Sequence, residues 1–388
     1  MAIQAMVSMA LLTLPVMVPQ VARDLSLSPT LVGTYVAVTY LAAMVASSLS
    51  GLGVLRWGAI RVSQLGLVSC AAGLALCAMP WWPATVAGAL LIGLGYGPIT
   101  PASSHILART TPAARMSLVF SVKQTGVPLG SLLAGAIVPS LMLATHWQAS
   151  LLWVAAVCLL CAWASESQRA SLDDDRHERH PVRWRALLSP VRLVLSHRSL
   201  STMALCSLLF SMVQLSLTTY LVTFLNQDMQ YSLVSAGLVL SCSQMGGIVG
   251  RITWGYVADR WLGALRMLVV LSLLMAVCAL TTATFDATTP VWQVVAVLVV
   301  FGASGIGWNG VYLAEVARRA PPGQAGLATG GTLSFTFLGV VVGPPLFGVI
   351  STAYGHYNAG FAALVIAAGG SCWLLLRNQR QGHRPSDE

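Results

Sequence analysis

Charged residues interrupt this chain so rarely that the gaps between them outline its elements. Charge-free runs cover 1–22, 25–55, 62–108, 124–165, 199–227, 229–250, 267–285, 287–314 and 320–376. A helix crossing a bilayer needs about 20 mostly apolar residues, so each run holds at least one. The runs 62–108 and 320–376 are long enough for two, and 116–165 holds two more once a single buried charge, Lys123, is admitted. The pattern predicts an all-α polytopic membrane protein with twelve spanning helices.

Residues 1–22 could also be read as a secretory signal peptide, which wants a basic lead before its apolar core. Met1 runs directly into IQAMVSMALLTLPVMVPQVA without a basic residue. This predicts a retained first span, one that a short cytoplasmic lead would ordinarily precede. The one long polar stretch, 165–199, follows six spans and precedes six more. The expected organisation is an N-terminal six-helix bundle at 1–165, a cytoplasmic linker at 166–198, a C-terminal six-helix bundle at 199–376 and a tail at 377–388. Within the linker, DDDRHERH offers histidines and acids, but a charge run between spans reads as a solvated connector, and no metal site is expected. The segment from Trp184 to Leu195 is predicted to lie on the membrane surface as a short amphipathic helix.

Composition agrees with the pattern. Only 9% of the 388 residues are charged and 56% are hydrophobic, against about a quarter charged in soluble domains; mean hydropathy is +0.76. The net charge of +9 invites a nucleic-acid reading, yet the arginines follow topology. Alternate connections carry Arg56 and Arg61, Arg109 and Arg115, the run from Arg169 to Arg198, Arg260 and Arg266, Arg318 and Arg319, then the tail. The opposite side offers Arg23 alone. Short cytoplasmic loops are enriched in Arg and Lys, so both termini are expected in the cytoplasm, with the lipid bilayer as partner and no nucleic acid. The eight cysteines fall inside predicted spans, where Cys behaves as a small apolar residue.

The two halves also resemble each other, as duplicated transporters do. Arg56-Trp57-Gly58-Ala59-Ile60-Arg61 after span two matches Arg260-Trp261-Leu262-Gly263-Ala264-Leu265-Arg266 after span eight. Leu107-Ala108-Arg109-Thr110-Thr111-Pro112 after span four matches Val316-Ala317-Arg318-Arg319-Ala320-Pro321 after span ten. Duplication of a six-helix unit explains both.

With these residues in view, the chain resembles the major facilitator superfamily over essentially its whole length. That family's signature, Gly-x-x-x-Asp-Arg-x-Gly, lies between its second and third helices and recurs between the eighth and ninth. Here the second copy is the better one: Gly255, Asp259 and Arg260 match, with one extra residue before Gly263. In the first copy Gly51, Arg56 and Gly58 match, while Leu55 stands where the acid belongs. Glycine permits close helix approach, and a carboxylate is favoured at a neighbouring helix N-terminus. Asp259 is therefore read as a conformational latch, or alternatively as a plain helix-end salt bridge. Arg251 is placed with the latch or against substrate. Gly126, Pro128 and Gly130 in span five, and Gly343, Pro344 and Pro345 in span eleven, resemble the family's Gly-Pro motif and are expected to bend their helices or let them pack tightly. Gly93-Leu94-Gly95-Tyr96-Gly97-Pro98 lacks dinucleotide spacing and reads as close helix packing.

Of 21 basic residues, only Lys123 is lysine. It lies roughly two turns into span five, where a charge costs about 2.5–3.5 kcal/mol on insertion scales. One reading has it face a central cavity and pair with an anionic substrate, or titrate during transport. The other has it snorkel to the interface or bind a backbone carbonyl. Polar and aromatic residues within spans complete the candidates: Tyr35, Tyr40, His105, Gln124, Gln214, Tyr220, Gln244, Trp308 and Asn309. Glu315 reads as an intrahelical partner of Arg318 or Arg319. No catalytic residue or cofactor is expected: a P-loop needs Gly-Lys-Ser/Thr, and the one lysine precedes Gln124. The expected function is secondary active transport of a small solute, an organic anion, by alternating access in a bacterial inner membrane, with the proton as a further partner. The alternative is a proton-coupled exporter of amphipathic or neutral compounds. The resemblance also implies a monomer.

Overall fold

The computed structural model describes residues 1–17, 21, 24, 31–175 and 189–381. The chain is helical from end to end of these residues, with no strand among them. In chain order the helices are α1 (Ala2–Val16), α2 (Leu31–Trp57), α3 (Ala59–Cys77), α4 (Trp82–Tyr96), α5 (Ile99–Thr110), α6 (Met116–Gln124), α7 (Gly126–Ala144), α8 (Trp147–Ala164) and α9 (Glu166–Leu172). After the linker come α10 (Ser189–Ser196), α11 (Arg198–Gln227), α12 (Leu233–Val257), α13 (Ala264–Ala283), α14 (Val291–Gly305), α15 (Asn309–Arg319), α16 (Ala325–Tyr354) and α17 (Tyr357–Gln381). Ten helical segments among the described residues are long and apolar enough to cross a membrane. Of the remaining two expected spans, α1 is shorter at 15 residues, and α12 carries Gln244 and Arg251 in its apolar run.

Three spans are broken. Span four pauses at Gly97 and Pro98 between α4 and α5, span five at Thr125 between α6 and α7, and span ten at Ile306–Trp308 between α14 and α15. Proline has no N–H for the carbonyl four residues back, so Pro128 cannot bond Gln124, the residue where α6 stops. Pro344 and Pro345, by contrast, sit inside α16, which runs on as one helix.

The described residues form two compact units: 1–110, 123–195 and 320–334 in the first; 111–122, 196–319 and 335–388 in the second. In the first, Val7, Leu67, Leu74, Ile92, Leu151 and Cys158 are fully buried in one apolar cluster. Bilayer helices gain little from apolar burial against each other, so small residues at their seams carry the packing. Gly93 and Gly97 lie against the backbone of α2 at Thr39 and Ala43, the close packing expected of that glycine run. Gly126 and Gly130 lie against α1 at Met1, Ala5 and Ser8, so their contribution is close approach. In the second unit Gly302 meets Ser243, and Gly339 and Gly343 meet Leu208 and Met212.

The internal repeat is visible in the backbone. Gly58 (φ 92°, ψ 156°) precedes α3 and Gly263 (φ 76°, ψ 152°) precedes α13, in a region open to glycine and strained for other residues. The extra residue of the second copy is absorbed as one π turn, Ala258–Leu262: the Gly263 N–H donates to the Ala258 carbonyl, five residues back, where Gly58 donates to Val54, four back. The two sites differ in surroundings. A Cβ on Gly58 would strike the Asp173 carboxyl, whereas nothing lies within 4 Å of one on Gly263. Gly263→Ala is expected to cost about 1–2 kcal/mol of backbone strain. Gly58→Ala should cost more, because it also displaces Asp173, and the two melting curves in detergent will separate accordingly.

The start of the linker is only partly solvated: Asp174 is exposed, and Asp173 is buried. Asp173 is buried and accepts from the Ile60 and Arg61 backbone N–H groups at 2.8 and 3.1 Å, capping the otherwise unsatisfied first turn of α3. Asp174 accepts from Arg109 at 2.5 Å. Asp175 pairs with Arg109 and lies 2.6 Å from Nε2 of His105. A charge run reads as solvent-facing only while its partners, 60 to 115 residues earlier, are unknown. Residues 176–188, with the rest of the charge run and Trp184, lie outside the described residues; α10 covers the end of the predicted surface helix. The Arg109 guanidinium holds the Asp174 carboxyl below its ordinary 3.8. A depressed folded value contributes stability above the unfolded value that is lost as pH falls through the folded one. Stability from this pair is thus expected to be constant from neutrality to about pH 5 and to decline below about pH 4. Asp174→Asn should flatten that acid limb in a pH series of thermal melts.

Candidate functional site

Lys123 sits near the end of α6, two residues before the Pro128-imposed break at Thr125, and is 8% exposed. Its Nζ donates to Oε1 of Gln4 at 2.8 Å, Oε1 of Gln124 at 3.0 Å and Oγ1 of Thr100 at 3.4 Å. All three acceptors are neutral. An ammonium offers only donors, so Gln4 turns its carbonyl towards Lys123, and the same oxygen accepts from Thr100. The amide nitrogen of Gln4, a residue only 2% exposed, is then left without an acceptor among the described residues. A buried N–H lacking a partner costs about 1–3 kcal/mol. Beside a buried ammonium, it makes a donor pair suited to a carboxylate. Helices α1, α5 and α6 thus converge on one positive, donor-rich point inside the first unit.

The other candidates of that unit stand apart from this point in their bonding. Tyr35 is buried with its hydroxyl unpartnered among the described residues, and Tyr40 packs edge-on against Tyr96 at 6.3 Å. Gly51 lies against Leu327 at the start of α16, and Arg56 lies over the Trp57 ring at 5.9 Å.

In the second unit the structure joins three candidates. Oε1 of Gln214 accepts from Nε1 of Trp308 at 2.9 Å and from Nδ2 of Asn309 at 3.2 Å. Trp308 is fully buried and packs edge-on against Phe210 and Tyr312. This cluster sits at the α14–α15 break, where Nε of Arg251, itself buried, donates to the freed Ile306 carbonyl at 3.2 Å. One bond of Arg251 thus goes to the helix break. Tyr220 stacks on Phe347 at 4.7 Å, and Gln244 lies exposed on α12. Glu315 pairs with Arg319 at 2.6 Å and Arg318 at 3.9 Å, the intrahelical pairing its spacing predicts.

Asp259 occupies the position the signature motif gives it. Its two oxygens accept from the Ser117 and Leu118 backbone N–H groups at 3.1 and 2.7 Å, at the N-terminus of α6. Nη2 of Arg318 closes the site at 3.1 Å, and Nη1 donates to the Ser117 hydroxyl at 3.0 Å. Below it, Gly255 and Gly310 leave room for Ser121 to approach both α12 and α15. Arg260 is exposed.

Residues 1–332 match the Major Facilitator Superfamily. The chain belongs to this superfamily.

Its relatives include an uncharacterized MFS-type transporter of Mycobacterium tuberculosis, 26% identical over 267 residues, 69% of this chain. The chain spans only 58% of that relative's length. A gentisate transporter of Corynebacterium glutamicum is 26% identical over 329 residues, 79% of this chain and 70% of the relative. Among solved structures, a human organic anion transporter superposes with a TM-score of 0.75 over 96% of this chain and 98% of that one. At 19% identity this likeness is one of fold. As a member of this superfamily the chain is a multi-pass membrane protein.

Sequence reasoning missed Gln4 and Thr100 beside Lys123. Gln4 is the one amide in an otherwise apolar first span, and that was its available signal. Thr100 carries no such mark, because hydroxyls within spans bond their own helix as a rule.

Proposed function

We propose that this transporter carries small organic anions by alternating access, with Lys123 and Gln4 receiving the substrate's carboxylate. The observation that carries the reading is the buried Gln4 amide nitrogen, which has no acceptor among the described residues and belongs to the side chain whose oxygen accepts from the Lys123 ammonium. A carboxylate there would give that nitrogen its acceptor and neutralise the charge. The name of the gentisate transporter supports the class. The arginine-bearing loops are taken as cytoplasmic, so both termini are taken to lie on the cytoplasmic side of a bacterial inner membrane, and the working unit is taken as a monomer.

Movement in this reading requires the Asp259 contact with the N-terminus of α6 to break and re-form once per cycle. Arg318 is the counter-charge that holds it while formed. The proton is proposed as coupling partner. The test is uptake by proteoliposomes holding the purified full-length protein. Gentisate is expected to enter saturably, faster under an imposed pH gradient, and its neutral amide analogue to enter no faster than in empty liposomes. Equal uptake of the neutral analogue would transfer the case to an exporter of neutral or amphipathic compounds.

A further inference from the structure

A second site lies wholly within the second unit, away from Lys123 in its residues and in its chemistry. A cavity of about 1110 Å³ opens between the π turn at Ala258–Leu262, the end of α15, the first turn of α11 and the last turns of α17. Its lining carries four guanidinium groups, from Arg260, Arg266, Arg318 and Arg319, against two carboxylates, from Asp259 and Glu315.

Both carboxylates are already committed. Asp259 accepts from two backbone N–H groups and Arg318; Glu315 accepts from Arg319 and lies beside Arg318. Arg260 and Arg266 are exposed and have no ion pair among the described residues. At the floor, Nδ2 of Asn378 and Nε2 of Gln379 are buried and have no acceptor among the described residues. The charged groups of the cavity left without an ion pair among the described residues are thus both guanidinium donors, and two amide NH2 groups beside them have no acceptor there. Guanidinium forks and amide N–H groups match a ligand with several acceptor oxygens and more than one negative charge equivalent to share. The volume suits a small ligand or a headgroup, and the mouth lies on the arginine-bearing side, where anionic headgroups collect.

We propose that this cavity binds a phosphate-bearing anion, held by Arg260 and Arg266 at the mouth and by Asn378 and Gln379 at the floor. Such a ligand ties the π turn to the end of α17 and satisfies donors that the fold leaves open. The phosphate could be that of a lipid headgroup or of a soluble metabolite, and the experiment separates the two.

Thermal melts of the full-length protein in neutral detergent, at ionic strength held constant with sodium chloride, would use four probes: inorganic phosphate, glycerol 3-phosphate, dioleoyl phosphatidylglycerol and dioleoyl glycerol. A ligand of the folded state raises the melting temperature by mass action. Stabilisation by the phosphatidylglycerol alone assigns the site to a headgroup; stabilisation by the soluble phosphates assigns it to a metabolite. In either case the half-saturating concentration should rise at least tenfold in Arg260→Gln/Arg266→Gln and in Asn378→Leu/Gln379→Leu, and stay within threefold of wild type in Arg260→Lys/Arg266→Lys. Should a double variant not purify as a monodisperse protein, the single substitutions Arg260→Gln and Arg266→Gln carry the same comparison. The proposal falls if no phosphate probe stabilises the wild type, if dioleoyl glycerol does so equally, or if wild type and glutamine variant respond alike.

Discussion

Lys123→Gln is expected to cut uptake of an organic carboxylate by one to two orders of magnitude while leaving thermal stability equal to or above that of the wild type. A hydrogen bond to a charged group contributes about 1.5–3 kcal/mol, which is about a 10- to 150-fold change in affinity. Stability moves the other way. A charge at membrane depth costs about 2.5–3.5 kcal/mol on insertion scales, and the amide acceptors around Lys123 offset only part of it. A glutamine keeps a donor for Gln4 and discards the charge. Initial uptake rates against substrate concentration, beside melting curves of the same preparations, check both halves. Unchanged uptake removes Lys123 from the binding site, and a joint fall of uptake and stability makes it a structural group.

Asp259→Asn is the second large effect. The carboxylate is nearly enclosed, accepts two N–H groups and faces Arg318. An asparagine would turn an NH2 towards one of those donors. Breaking a buried pair costs about 3–5 kcal/mol, and partial exposure of Arg318 puts this case near the lower end, about 3 kcal/mol. That is more than a hundredfold in the equilibrium between contact and separation of α12 and α6. Ser117 is fully buried at this contact, so a Ser117→Cys reporter should react with a membrane-impermeant maleimide about a hundredfold faster in the Asp259→Asn background. Identical labelling rates would show that the carboxylate does not gate this contact.

Much of the fold and part of the site are legible in residue order alone, for physical reasons. Spans announce themselves because the bilayer admits few charges, and the cost of holding Lys123 at depth singles it out among the basic residues. Asp259 is legible through resemblance, since Gly255, Asp259 and Arg260 match the family signature, whose glycine lets a neighbouring helix come close to the carboxylate. What escapes is pairing over distance. Asp173 looks like part of a hydrophilic run until α3 is seen to begin beside it. Arg251 offers a latch or a ligand for substrate, and the structure gives it the carbonyl freed by the α14–α15 break. Gln4 is hidden by its neighbours, an amide among apolar residues whose two ends have different fates.

The exchange of short segments between the compact units bears on how the molecule could be divided. Residues 111–122 belong with the second unit although the first surrounds them in sequence, and 320–334 belong with the first. A gene cut in the linker would therefore yield two polypeptides, neither holding a whole unit, each carrying a strip the other lacks. Such fragments would be stable only as a complementing pair, and a chimaera that swaps one half for a homologue's would have to bring the matching strip with it.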